Sequence, residues 1–109
     1  MKIVEEIGEA AVLEGLAEEC CELAQAALKL ARIYRGLNPT PVSEEEAKAM
    51  ALEEFGDVNA CVCALWPHTD WFNIVTVGEV ATDKTSRWVE RIKEAQCEEG
   101  CVITGEVVE

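Results

Sequence analysis

Two pairs of carboxylates are the residues in this chain best placed to do chemistry. Glu19 and Glu22 lie inside the segment LAEECCELA (16–24), and Glu54 and Asp57 lie inside MALEEFGDV (50–58). On a helix, residues i and i+3 project about 60° apart, so each pair presents two carboxylates toward one neighbouring region. In both segments the acids are interleaved with residues that should pack, whereas a solvated helix face sets its charges opposite the apolar stripe. Four carboxylates gathered at close range repel one another and raise one another's pKa. A bound divalent cation removes that penalty, and ligation by oxygen alone selects a hard ion, Mg²⁺ or Mn²⁺, over Zn²⁺.

Spacing by itself is weak evidence. The chain has 22 acidic residues among 109, and the same spacing recurs at Glu6/Glu9 and Glu106/Glu109. A plainer reading puts Glu18, Glu19 and Glu22 on a solvated stripe with Gln25, Lys29 and Arg32, where Glu18/Glu22 and Gln25/Lys29 are ordinary i, i+4 neighbours. The residue pattern leaves both readings open.

The elements that must position these residues are helical. Alanine, leucine and glutamate are common and aromatics are few, a composition that predicts an all-α fold. From about Glu9 to Arg35, Leu13, Leu16, Cys20, Leu23, Ala27, Leu30 and Tyr34 recur at alternating spacings of three and four, which predicts a seam for packing on another helix. Arg32 and Arg35 suit the negative pole of that helix, and Gly36 is a candidate C-cap. The stretch 37–42 carries two prolines and reads as a linker. Ser43 followed by Glu46 forms a capping box for a second helix running to about Trp66, where Pro67 stops it. Residues 67–78 read either as a loop or as the start of another helix. A further amphipathic helix, carrying Lys84, Arg87, Arg91 and Lys93, four of the chain's nine basic residues, is expected from about Glu79 to Gln96. The whole reads as a single domain of 109 residues, with its core in about 9–96 and a tail over 97–109. A monomer of this size buries a modest share of its surface, so oligomerisation is an easy way to enlarge the core.

Charge and hydropathy exclude several roles. The net charge of −13, with nine Lys and Arg, argues against a nonspecific nucleic-acid binder. No apolar run approaches the roughly 20 residues that span a bilayer, and the MKIVEE start lacks the apolar region of a secretion signal. A cytoplasmic protein is expected. Cys20, Cys21, Cys61 and Cys63 fall within apolar helical patterns and read as reduced core thiols. Cys97 and Cys101, four residues apart, could share a helix face, but with no further soft ligands nearby the structural reading is preferred over a metal site.

Taken together, EECCEL (18–23) followed some thirty residues later by EEFGDV (53–58) resembles the E-E-x-x-E … E-x-x-D signature of the MazG-like all-α nucleoside triphosphate pyrophosphohydrolases. The stretch EECCELAQAALKLARIYR (18–35) resembles the first signature helix of small phage-type and bacterial members. Lys84-x-x-Arg87-Trp88-x-x-Arg91-Ile92 resembles the basic motif on their last helix. The likeness covers about Glu9 to Ile92.

The resemblance implies a helical bundle completed by homo-oligomerisation, as a homodimer or homotetramer. It implies Mg²⁺-dependent hydrolysis of nucleoside triphosphates, ribo or deoxy, to a monophosphate and pyrophosphate. Glu19, Glu22, Glu54 and Asp57 would bind the metal, and Glu18 would orient or deprotonate the attacking water or hold a further ion. Cleavage between the α and β phosphates asks for an in-line water and charge neutralisation, which metal ions supply. Lys84 and Arg87, and more weakly Lys29, are candidate phosphate contacts. Trp66, Trp71, Phe72 and Trp88 are the large stacking surfaces and Asn59 and Asn73 the amides available to read a base, and none identifies it; His68 reads as a loop residue. Two rivals remain: a phosphoribosyl-ATP pyrophosphohydrolase, which shares the four-carboxylate logic, and a non-catalytic acidic helical interaction module.

Overall fold

The computed structural model describes residues 1–37 and 41–100. Its elements are α1 (Ile3–Ile7), α2 (Glu9–Arg35), α3 (Glu44–Leu65) and α4 (Ile74–Gly100), with no strand among the described residues. The all-α expectation is met. Of the expected linker, Leu37, Pro41 and Val42 lie outside the helices, as the two prolines suggest, while Asn38, Pro39 and Thr40 lie outside the described residues, as do Cys101 and the rest of the tail. The chain divides into two compact units, Met1–Phe72 and Asn73 onward.

In the first unit, α1 is five residues long, too short to show a period in the sequence. Gly8, at φ 92°, separates it from α2, a backbone conformation that L side chains rarely adopt. α2 then runs unbroken to Arg35. It closes on Gly36 in the left-handed conformation (φ 64°), whose N–H bonds the Ile33 carbonyl while the Leu37 N–H reaches that of Arg32. The expected capping box is present: the Glu46 N–H donates to Ser43 Oγ and the Ser43 N–H to Glu46 Oε1, each at 3.0 Å. The box fixes the start of α3 and therefore the register of every residue after it.

α2 and α3 pack as an antiparallel pair. Lys48 Nζ lies 5.8 Å over the Tyr34 ring near the connecting turn, and Val12 clusters with Leu65 at the far end. α1 closes that far end through Val4, with Leu16, Ala64 and Phe72 packed around the cluster. Beside it, the Trp71 indole N–H donates to the Glu9 carboxylate, and the Trp71 and Phe72 rings meet edge to face.

The seam differs from the one expected. Along α2 the most buried positions are Val12, Leu16, Glu19, Leu23, Ala26, Leu30 and Ile33, and along α3 they are Ala47, Ala51, Glu54, Val58, Cys61 and Leu65. Both follow alternating steps of three and four, but the α2 frame is rotated relative to Leu13, Cys20, Ala27 and Tyr34, which are exposed. The rotation places one glutamate of each helix on the packed face. It also corrects the reading of the cysteines: Cys20, Cys21 and Cys63 are exposed and only Cys61 is half-buried.

The second unit contains α4, which begins five residues earlier than expected. Asn73 Oδ1 accepts the N–H groups of Val75 and Thr76, at 2.8 and 3.3 Å, and so caps the first turn. Every described side chain of α4 is exposed, including Val80, Trp88 and Ile92.

Candidate metal centre

Glu19 and Glu22 sit on consecutive turns of α2, and Glu54 and Asp57 on consecutive turns of α3. Antiparallel packing brings the two pairs to the same level of the seam. One carboxylate oxygen from each of the four residues falls within a sphere of contact in which all lie within 4.8 Å of one another. Glu19 and Glu54 are half-buried, and Glu22 and Asp57 are exposed at the mouth.

Two features make this grouping costly for the protein alone. Glu19 Oε1 and Glu54 Oε1 are buried and have no hydrogen-bond partner, although carboxylate oxygens taken from water are normally satisfied. Partial burial, and then the charges of Glu22 and Asp57, hold the Glu19 carboxyl above its ordinary range. Burial, followed by Glu22, Asp57 and Glu19, does the same to Glu54. No Lys or Arg forms an ion pair with any of the four among the described residues. Such a cluster, with unsatisfied oxygens turned inward and no organic counter-ion, suits a hard divalent cation: the donors are all oxygen, and the charge would relieve both the repulsion and the missing hydrogen bonds.

The surroundings of the centre are a mixture of thiol and carboxylate. Cys61 follows Asp57 by one turn of α3, and burial pushes its thiol up, with Glu19 adding to the effect. A protonated thiol is a poor ligand, and the grouped donors here are carboxylate oxygens. Glu18 is exposed on α2 next to Glu19. On the other side, a cleft of about 560 Å³ opens from Glu22 and Glu54 and is lined further by Gln25, Lys29 and Arg32.

The other candidates fall elsewhere. Lys84 and Arg87 lie on α4 in the second unit, where they line a surface hollow of about 380 Å³ with Trp88 and Arg91. Arg87 is paired with Asp83 one turn before it, at 3.2 Å, while Lys84 has no ion pair among the described residues. Asn73 is occupied as a helix cap, Phe72 packs in the core, and His68 is exposed in the turn after α3, as expected. Gln25 and Arg32, read from the sequence as part of a solvated stripe, are exposed and also line the cleft beside Glu22 and Glu54. Their positions three, seven and ten residues after Glu22, shared with Lys29, were the available signal. No protein-family model, curated protein or solved structure matches this chain.

Proposed function

We propose that this protein is a Mg²⁺-dependent nucleoside triphosphate pyrophosphohydrolase of the MazG-like kind, releasing a nucleoside monophosphate and pyrophosphate. The observation that carries the reading is the convergence of Glu19, Glu22, Glu54 and Asp57, two of them with buried, unpartnered oxygens on the α2–α3 seam. The signature-like sequences around both pairs support the choice of reaction.

In this proposal Glu19, Glu22, Glu54 and Asp57 hold the ion, with Mn²⁺ able to replace Mg²⁺. Mg²⁺, when bound, neutralises charge on the phosphoryl oxygens and polarises the attacking water. The antiparallel pairing of α2 and α3 sets the four side chains before substrate arrives, so their orientation costs nothing at the moment of reaction. Glu18, exposed beside the centre, orients or deprotonates the attacking water or holds a further ion. Lys29, in the cleft beside the centre, contacts phosphate oxygens, the role that the resemblance gives also to Lys84 and Arg87.

The proposal includes a homodimer or homotetramer in the cytoplasm. Apolar side chains left exposed, among them Leu28, Leu52 and Phe55 in the first unit and Trp88 and Ile92 on α4, support association with further copies of the chain. No helix among the described residues is long and apolar enough to cross a membrane.

Pyrophosphate release from a panel of canonical and damaged ribo- and deoxynucleoside triphosphates, together with phosphoribosyl-ATP, in the presence of Mg²⁺, tests the reading. Release from at least one nucleotide by the wild type, abolished in Glu54→Ala, is expected. Absence of release from every nucleotide, or equal release from the variant, overturns it, and release confined to phosphoribosyl-ATP would reassign the substrate.

A further inference from the structure

Resting on the metal-centre reading above, we infer that the cleft beside the carboxylates is a pyrophosphate subsite, with Lys29 and Arg32 as its cationic contacts and Gln25 as a neutral donor. The cleft shares Glu22 and Glu54 with the carboxylate cluster, so it is continuous with the centre and not a separate hollow. Its volume of about 560 Å³ accommodates two phosphoryl groups and their water.

Charge decides what occupies it. Four carboxylates carry more negative charge than one divalent ion cancels, and the outer phosphates of a triphosphate would be repelled unless cations met them beyond the metal. Lys29 and Arg32 are the two cations lining the cleft. Neither is ion-paired among the described residues, in a chain where acids outnumber bases by 22 to 9. An ordinary solvated stripe would have placed a carboxylate one turn from each.

Helix geometry gives the cleft a direction. Glu22, Gln25, Lys29 and Arg32 follow steps of three, four and three, one face of α2. Lys29 stands about 10 Å beyond Glu22 along the axis, at 1.5 Å per residue. Helical side chains tilt toward the N-terminus, so the half-buried Lys29 and the longer Arg32 lean back toward the cluster. A phosphate chain running from the centre toward the C-terminal end of α2 meets Gln25, then Lys29, then Arg32. Arg32 also lies in the last turn, where its charge favours the helix pole, a role compatible with phosphate binding at its guanidinium. The β and γ phosphates, which leave together as pyrophosphate, therefore lie in this cleft and the nucleoside lies elsewhere.

The test is calorimetric titration of inorganic pyrophosphate, and separately of AMP, CMP, GMP, UMP and dTMP, into the full chain saturated with Mn²⁺. Wild type is compared with Lys29→Gln, Arg32→Gln and the exposed control Lys93→Gln, with Mn²⁺ binding followed by electron paramagnetic resonance. Each cleft variant should retain Mn²⁺ and lose pyrophosphate affinity by about 10- to 100-fold, the worth of a charge-assisted hydrogen bond. The control and the monophosphate affinities should hold. Unchanged pyrophosphate affinity in both cleft variants, or loss of a monophosphate in place of pyrophosphate, overturns the subsite. Wild type that binds no Mn²⁺ fails at the earlier step and overturns the metal centre itself.

Discussion

Glu19 and Glu54 occupy positions where each helix would ordinarily place leucine or alanine, and that placement gives their titration a sign. Their folded-state pKa values are raised above the ordinary 4.5, with burial the leading cause, so the folded chain binds protons more tightly than the unfolded one. Stability of the metal-free protein therefore increases as pH is lowered through the raised values and stops gaining from these groups below about 4.5. Thermal melting in chelator from pH 7.5 to 5 should show a rising melting temperature, and a falling one would contradict the account. Under the proposal, added Mg²⁺ should reverse the trend, because protons and metal compete for the same oxygens. For the same reason Glu19→Gln should melt higher than wild type in chelator, while gaining nothing from Mg²⁺. The carboxylates themselves were legible as two i, i+3 pairs within apolar segments. That Glu19 and Glu54 stand on the seam was not, since a glutamate is never counted among apolar positions when a repeat is sought.

At the scale of elements, local signals were the most legible. The Ser43–Glu46 box, the Gly36 stop and the extent of α2 are set by nearest-neighbour chemistry and appear in the structure as the sequence suggests. The phase of the α2 seam is a tertiary choice: two frames of the same 3–4 repeat were available. The one chosen buries Val12 and Ala26 and exposes Cys20 and Tyr34. The start of α4 stays open between loop and helix in the sequence, because Asn73 is weighed there as a base-reading amide when its oxygen serves as a cap. Ser43→Ala removes one half of the capping box and should cost about 1 kcal/mol in chemical denaturation. Leu65, the most completely buried large side chain, joins α1, α2 and α3 at one end of the pair. Leu65→Ala should cost about 2–5 kcal/mol, and a loss under half a kilocalorie would mean that the α1 end contributes little to cohesion.

For the whole molecule, the described buried apolar residues are few: Val4, Val12, Ala26, Ala47, Ala51 and Leu65, three of them alanine. A core this thin is a poor match for the conformational entropy of ordering two long helices. Large apolar side chains remain exposed on every helix. If further copies of the chain cover them, the melting temperature rises with protein concentration, and light scattering gives the mass of a dimer or tetramer. Trp88→Glu, at an exposed position on α4, should shift that mass toward the monomer. A monomeric wild type at high concentration would remove the homo-oligomer from the proposal and leave the carboxylate centre standing. The acidic composition gave reason to expect a cation, but it could not indicate assembly, because exposed apolar surface depends on which seam frame the helices choose.

The most direct test of the central claim is the melting temperature of wild type and Glu54→Gln, each in chelator and in Mg²⁺. The four-carboxylate seam predicts that wild type gains several degrees from Mg²⁺, whereas Glu54→Gln melts higher than wild type without metal and gains little with it. A wild type indifferent to Mg²⁺, or a variant that gains as much as wild type, would contradict a cation site between α2 and α3.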